Sequence, residues 1–136
     1  MSSEATFSKL VKSHLPVGAH WQRIETGSTG TGIPDINICF EGKEVWVELK
    51  LIKGKRVDLT PTQDAWLMKR AKAGGHTWIL ARHTYDGVRI GKGDNIYLWK
   101  GIHAKTVKEN GTASGGYLVW RAPFNWEKIM NCLLSV

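Results

Sequence analysis

The protein has 136 residues, a formal net charge of +7 at pH 7 and a pI of about 9.6. This length suits one domain with a sizeable core, and the basic balance favours a polyanionic partner such as nucleic acid. No apolar run is long enough to span a membrane and no signal peptide opens the chain, so we expect a cytoplasmic protein with no membrane partner. The two cysteines, Cys39 and Cys132, lack metal-ligand spacing and are expected to be reduced.

The first predicted element is a helix that Ser2 or Ser3 caps. The side chains that follow helical spacing there are Phe7, Leu10, Val11 and His14. Glu4 lies one turn before Phe7 on the edge of the same stripe, so we expect it to point toward the body of the protein. A strand is predicted over residues 20–26, and a glycine-rich turn follows it.

Two short apolar runs, at residues 36–40 and 45–49, flank the polar residues 41–44 and predict a β-hairpin. Gly42 followed by another residue suits a two-residue type II′ loop. This loop pairs six apolar residues across the hairpin, namely Phe40 with Val45, Ile38 with Val47, and Ile36 with Leu49. One face of the hairpin is therefore predicted to be core.

The other face of the same hairpin carries charge. The predicted register pairs Asp35 with Lys50 and Asn37 with Glu48, and alternation places all of them on one side. Two carboxylates and a backbone carbonyl suit a hard divalent cation such as Mg²⁺. The simpler alternative is an exposed charged face on a half-solvated hairpin.

A helix is predicted from residue 61 to about 73. Thr60 is its expected N-cap, Pro61 takes the first helical position, and Gln63 completes a capping box. Two glycines end it, and residues 76–82 then form a predicted strand. A helix between two strands indicates a crossover, so we expect an α/β fold with a mixed sheet.

The C-terminal part continues the pattern with two short predicted strands, over residues 95–100 and 117–121, and a helix over 102–109 between them. Asn125 is the expected cap of a last helix. The apolar residues of that helix are Trp126, Ile129, Met130, Leu133 and Leu134.

Three stretches together resemble the PD-(D/E)XK nuclease superfamily: Gly-Ile-Pro-Asp at 32–35, Val-Glu-Leu-Lys at 47–50, and Leu-Thr-Pro-Thr-Gln-Asp-Ala-Trp at 59–66. More narrowly, they resemble the small VRR-Nuc endonucleases of phages and the archaeal Holliday-junction resolvases. The likeness covers about residues 1–82, and residues 83–136 would complete a single nuclease domain. It implies a restriction-endonuclease-like core, with a central mixed sheet flanked by helices.

The resemblance also implies hydrolysis of phosphodiester bonds with Mg²⁺ as cofactor, for which Mn²⁺ is expected to substitute. Asp35, Glu48 and the carbonyl of Leu49 would be metal ligands. Lys50 would position the attacking water or stabilise the transition state. Gln63 matches a glutamine that helps to shape the active site, although a capping box alone would explain it.

An upstream acidic residue is the remaining part of the implied catalytic set. Glu4 on the first helix is preferred, and Glu25 on the following strand is the alternative. Ser28 resembles a serine in a loop that lies near the scissile phosphate in resolvases, but an ordinary polar turn would also account for it. The expected DNA-binding residues that follow the hairpin are Lys53, Lys55 and Arg56.

The function that these features predict is a structure-selective endonuclease acting on branched DNA. Paired cuts in a four-way junction need two copies of the chain, so we expect a homodimer. The apolar tail at residues 126–134 is a candidate for the dimer face or for core. The alternatives are a flap or general DNA endonuclease and a non-catalytic nucleic-acid-binding module.

Overall fold

A computed structural model of the protein describes residues 4–24, 31–84 and 94–136. Within these ranges the chain forms one six-stranded sheet with helices on both faces. The strands are β1 (His20–Arg23), β2 (Ile36–Phe40), β3 (Lys43–Leu51), β4 (Thr77–His83), β5 (Asn95–Lys100) and β6 (Leu118–Arg121). The helices are α1 (Glu4–Ser13), α2 (Pro61–Lys72), α3 (Ala104–Asn110) and α4 (Trp126–Leu134).

The strands lie in the sheet in the same order as in the chain. Only β3 and β4 pair in parallel among these strands, and α2 is the crossover between them. The predicted α/β fold with a mixed sheet is therefore confirmed. A 3-10 turn over Gly101–His103 precedes α3, where sequence spacing had predicted a helix from residue 102.

The register of the β2–β3 hairpin differs from the predicted one by two residues. Ile38 pairs with Val45, and Ile36 pairs with Val47. The turn consists of Glu41 and Gly42, whose φ angles are 51° and 79°. Positive φ at both positions is the condition of a type I′ turn, so the predicted type II′ loop is wrong. A shift of two keeps every side chain on its predicted face because the strand period is also two.

Each face of the sheet has its own core. The first core lies between the hairpin and the helices α1 and α4. Its hairpin residues include Ile36, Ile38, Val45, Val47 and Leu49, and its α4 residues are Ile129, Met130, Leu133 and Leu134. The second core lies under α2 and α3, and it contains Leu67 and Val107 from these helices. The apolar tail of the chain is therefore core.

The start of α2 is built as the sequence predicts. The Gln63 backbone N–H donates to Thr60 Oγ1 over 3.2 Å, and the Thr60 N–H donates to Gln63 Oε1 over 3.0 Å. Gly32 rests against this helix start with a φ of +80°, and a Cβ atom at Gly32 would lie 2.1 Å from the Thr62 carbonyl oxygen. The loop that leads into Asp35 thus sits directly on the first turn of α2.

None of the helices in the described parts of the chain has the length and apolar character that a membrane span requires.

Candidate active site

The two carboxylates and the lysine of the predicted site come together on the sheet face that α2 covers. Asp35 directly precedes β2, and its Oδ2 atom accepts the Leu49 backbone N–H over 2.8 Å. Lys50 Nζ lies 3.7 Å from Glu48 Oε2. Glu48 is 1% exposed and Lys50 is 8% exposed, so the alternative of a solvated charged face is wrong.

Gln63 contacts the site and caps its helix at the same time. While Gln63 Oε1 accepts the Thr60 N–H, its Nε2 atom donates to Glu48 Oε2 over 3.2 Å. The two explanations that the sequence left open are therefore compatible, because they use opposite ends of one amide group. The capping box fixes the position from which Gln63 reaches the buried carboxylate.

The second oxygen of Glu48 is well placed for a cation. Glu48 Oε1 is buried and has no hydrogen-bond partner in the described structure, which is costly for a strong acceptor. A divalent cation near Asp35 would satisfy this atom, and carboxylate oxygens are the donors that Mg²⁺ prefers. The residues present therefore fit a hard metal ion.

Side chains alone do not complete such a site in the described residues. Within them no group of three or more His, Cys, Asp or Glu side chains is arranged to hold a metal. An ion on Asp35 and Glu48 would take further ligands from backbone carbonyls and water, as Mg²⁺ commonly does. The side chain of Leu49 lies in the core, and the role of its carbonyl as a ligand stays a prediction.

Burial changes the charge state of Glu48. Desolvation raises its pKa from 4.5 to about 9, the neighbouring Asp35 carboxylate adds to the rise, and Lys50 opposes it. Without a cation, this shift favours the protonated form of Glu48, which can share its proton with the neighbouring Asp35 carboxylate. A cation and this proton would compete for the same carboxyl group.

Glu4, at the start of α1, lies within electrostatic reach of the same cluster. Partial desolvation raises its pKa, the Lys50 charge lowers it, and the Asp35 charge raises it. The residue is exposed at the surface, and its carboxyl group is near enough to Lys50 and Asp35 for their charges to act on it. Glu25 and Ser28 lie outside the described residues.

A basic turn follows β3 and lies beside the site. Lys53, Lys55 and Arg56 are exposed, and the backbones of Lys53 and Arg56 bond to each other over 2.9 and 3.1 Å. The Lys55 carbonyl accepts the Thr112 N–H over 2.9 Å, so the 3-10 turn that follows α3 holds the basic turn in place. The backbone of this basic turn is therefore held in place next to the end of β3.

Two contacts that build the site could not be predicted from the sequence. The Leu49 N–H orients Asp35, and the Thr62 backbone supports the loop at Gly32. Gly32 belongs to the Gly-Ile-Pro-Asp motif at residues 32–35, and a glycine in that motif indicated a special backbone conformation. Its contact partner is distant in the chain, and no local pattern reveals such a contact.

Comparisons with known proteins give a likeness in structure only. No protein-family model matches the chain, and no curated protein sequence matches it either. A solved structure that it resembles is Hjc of Archaeoglobus fulgidus, a Holliday junction resolvase from an archaeal hyperthermophile. The TM-score is 0.53, the sequence identity is 11%, and the match covers 89% of each chain.

This likeness shows that the mixed sheet and its helices form a restriction-endonuclease-like core. It agrees with the expected resemblance to archaeal resolvases at the level of fold. The narrower resemblance to VRR-Nuc endonucleases stays a prediction.

The raised pKa of Glu48 predicts a pH-dependent stability. The unfolded chain loses this proton near pH 4.5, and the folded protein loses it only near pH 9. Between these values the folded state holds more protons, so the free energy of unfolding falls as pH rises through this window. Glu48→Gln removes the titration, and its stability relative to wild type should grow with pH.

Urea unfolding at about pH 5 and about pH 9, in the absence of divalent ions, measures this difference. We expect the gap between Glu48→Gln and wild type to widen by at least about 1.4 kcal/mol, the equivalent of one pKa unit. Glu44→Gln, on the exposed part of the same strand, is the control and should show no such widening. Equal gaps at both pH values would contradict the prediction.

Proposed function

We propose that this protein is a Mg²⁺-dependent, structure-selective endonuclease that hydrolyses phosphodiester bonds in branched DNA, as a Holliday-junction resolvase does. The observation that carries this proposal is the cluster of Asp35, Gln63 and the buried Glu48 and Lys50, which lies in a fold similar to that of a resolvase. The net charge of +7 supports a nucleic-acid substrate. Residues 1–136 would form one nuclease domain.

The proposed metal is Mg²⁺, held by Asp35, Glu48 and the Leu49 carbonyl, and Mn²⁺ should substitute for it. When bound, the ion would supply Lewis-acid activation of water and neutralise charge at a phosphate oxygen. The free Glu48 Oε1 atom supports this assignment. The hydrogen bond from the Leu49 N–H to Asp35 Oδ2 would hold the second carboxylate in a fixed orientation.

The remaining residues of the cluster would act on water and phosphate. Lys50, held near Glu48 with little access to solvent, would orient the attacking water or stabilise negative charge on the phosphate in the transition state. Gln63 would fix the orientation of Glu48. Lys53, Lys55 and Arg56 would bind phosphates on either side of the cut.

A third acidic group is proposed at Glu4, because Asp35 and Lys50 both act on its pKa. Glu25 remains the alternative for this role. Ser28 is proposed to lie near the scissile phosphate.

Cleavage of a panel of labelled DNA molecules tests the function. The panel contains linear duplex, a flap and a four-way junction, each with Mg²⁺ or with EDTA. We expect Mg²⁺-dependent cleavage that is fastest on the four-way junction. Fastest cleavage of the flap or of the duplex would favour a flap or general endonuclease, and binding without cleavage would favour a non-catalytic module.

Lys50→Ala should lower the cleavage rate by orders of magnitude and leave DNA affinity within about tenfold of wild type, which is about 1.4 kcal/mol. The reason is that the Lys50 charge is expected to act on the reacting groups. Single-turnover cleavage and anisotropy titration separate the two effects. Lys55→Ala, in the exposed turn, is the control and should weaken binding more than the rate. If Lys50→Ala lost rate and affinity equally, the role of Lys50 would be to bind a phosphate and not to act on the reacting groups.

Gln63→Glu separates capping from the contact with Glu48. A glutamate keeps the acceptor for the Thr60 N–H, but it removes the donor to Glu48 Oε2 and adds a second negative charge. We expect a loss of about tenfold to hundredfold in cleavage rate, as for other groups that orient metal ligands.

The matched control is Thr60→Ala, which removes the cap and leaves the Gln63 side chain in place. It should lower the free energy of unfolding by about 1 kcal/mol with little change in cleavage. If both variants cleave at the wild-type rate, Gln63 serves only its helix.

The proposed assembly is a homodimer, because one chain carries one site and a junction needs two cuts. The apolar residues of α4 are buried in the first core, so they do not offer a dimer face. We therefore place the expected interface on β6, at the edge of the sheet. Leu118 and Val119 are 49% and 48% exposed there, and an apolar edge strand favours pairing with another strand.

Light scattering at micromolar concentration should give a mass of twice 15.2 kDa for the wild-type protein, and Val119→Lys should give the mass of a monomer. A wild-type monomer would contradict this assembly.

A further inference from the structure

Two tryptophans and an arginine form a cluster that the proposed chemistry does not use. Trp46 lies on β3, and Trp66 and Arg70 lie on α2. The two indole rings meet edge to face, with their centroids 5.2 Å apart. The guanidinium carbon of Arg70 lies 4.7 Å from the Trp66 ring centroid and 5.5 Å from that of Trp46. The indoles are half-buried, and Arg70 is exposed.

The cluster continues the candidate active site along both elements that build it. Trp46 precedes Glu48 by two residues on the same face of β3, a separation of roughly 6.6 Å at the usual rise of a strand. Trp66 follows Gln63 by three residues, so it lies one helical turn farther along the same side of α2. A DNA strand that crosses the site would therefore pass the indoles with an adjacent nucleotide.

The outer strand β1 is open to solvent on the same face of the sheet. Gln22 pairs with Asn37, and Asn37 pairs with Trp46, so these three side chains form a row on one face of β1, β2 and β3. Gln22 is exposed, as is His20 on the same face of β1. On this face the row therefore runs from the exposed Gln22 through the buried Asn37 to the half-buried Trp46.

An unsatisfied donor lies in this row. Asn37 is 9% exposed, and its Nδ2 atom has no hydrogen-bond partner in the described structure. A buried amide donor without a partner is costly, and such groups often mark a site for an absent polar ligand.

Packing of α2 onto the sheet does not require the cluster. Leu67 of α2 is fully buried in the second core, and Thr77 Oγ1 on β4 donates to the Leu67 carbonyl over 3.0 Å. The helix is therefore anchored by Leu67 as well as by the cluster. The exposed guanidinium on the two rings instead leaves a positive, aromatic surface facing the open part of the sheet.

We propose that Trp46, Trp66 and Arg70 form a subsite that stacks an unpaired base of the DNA substrate next to the cut phosphodiester. This subsite rests on the proposed function, and it names the substrate feature that the enzyme would recognise. Indole rings stack on bases of any sequence, and a guanidinium binds both a base plane and a phosphate. Bases inside a continuous duplex do not present their faces, whereas bases in a flap or at the open branch point of a junction can, so the subsite favours branched DNA over continuous duplex.

Binding of a fluorescently labelled thymidine oligonucleotide, measured by anisotropy in EDTA, tests the subsite without any cleavage. Trp66→Ala and Arg70→Ala should each weaken binding by at least about fivefold, and Trp66→Phe, which keeps an aromatic face, should stay within about twofold of wild type. Trp126→Ala, on α4 at the opposite face of the sheet, is the control for loss of an indole and should bind as wild type does. Arg70 is exposed, so its variant tests the proposal even if Trp66→Ala fails to fold. Equal affinity of Arg70→Ala and Trp126→Ala would overturn the subsite.

A cleavage assay then distinguishes failure of this subsite from failure of the proposed function. With Mg²⁺, Arg70→Ala should slow the cutting of a flap with unpaired nucleotides by at least about fivefold relative to continuous duplex. An unchanged ratio in an active enzyme would overturn the subsite and leave the endonuclease proposal intact. Absence of cleavage by the wild-type protein would overturn the endonuclease proposal, and the oligonucleotide titration would still decide whether the cluster binds an unpaired base.

Discussion

The burial of one carboxyl group, that of Glu48, is the constraint on which the candidate site depends. At 1% exposure, this group cannot rely on water, so nearby groups must hold its proton or supply its partners. Gln63 does so from the first turn of α2, and that turn also supports the loop at Gly32 that leads into Asp35. The β2–β3 hairpin, the loop before it and the crossover helix therefore converge on one acceptor. The parallel pairing of β3 with β4 makes this possible, because the crossover brings α2 back over the sheet.

The faces of the hairpin could be predicted from the sequence, but its register could not. Alternation sorts Ile36, Val47 and Leu49 to the core and Glu48 to the site, and it does so equally in both registers. The choice between the registers depends on the turn. Glu41 adopts a φ of 51°, a conformation that is uncommon for glutamate, so its sequence alone did not favour the observed loop.

Local sequence patterns predicted where helices begin, but they did not predict which distant residues the helices contact. The capping box at Thr60 was predictable because all its partners lie within four residues of one another. The contact between Gln63 and Glu48 joins residues that are distant in sequence, so it depends on the whole sheet. The same holds for the tail of α4, whose apolar stripe fits either a core or a dimer face until its neighbours are known. At 11% identity the similar structure supports the fold, and the chemistry must be inferred from individual side chains.

The predicted and observed registers differ by two residues and place the same side chains on each face, and this two-residue period limits how the spacing between the two carboxylates can vary. Asp35 and Glu48 meet because the connection between them places both on the same side of the pleat. An insertion or deletion of two residues within either strand would preserve this arrangement, but a change of one residue there would turn a carboxylate toward the opposite core. Strand length is thus subject to a parity rule, and an odd change within a strand needs a β-bulge to restore the pairing of the two acids. The turn escapes this rule, because hairpin loops of two to five residues can join the same two strands. In related chains, changes within these strands should therefore come in steps of two or with a bulge, and single-residue changes should lie in the turn.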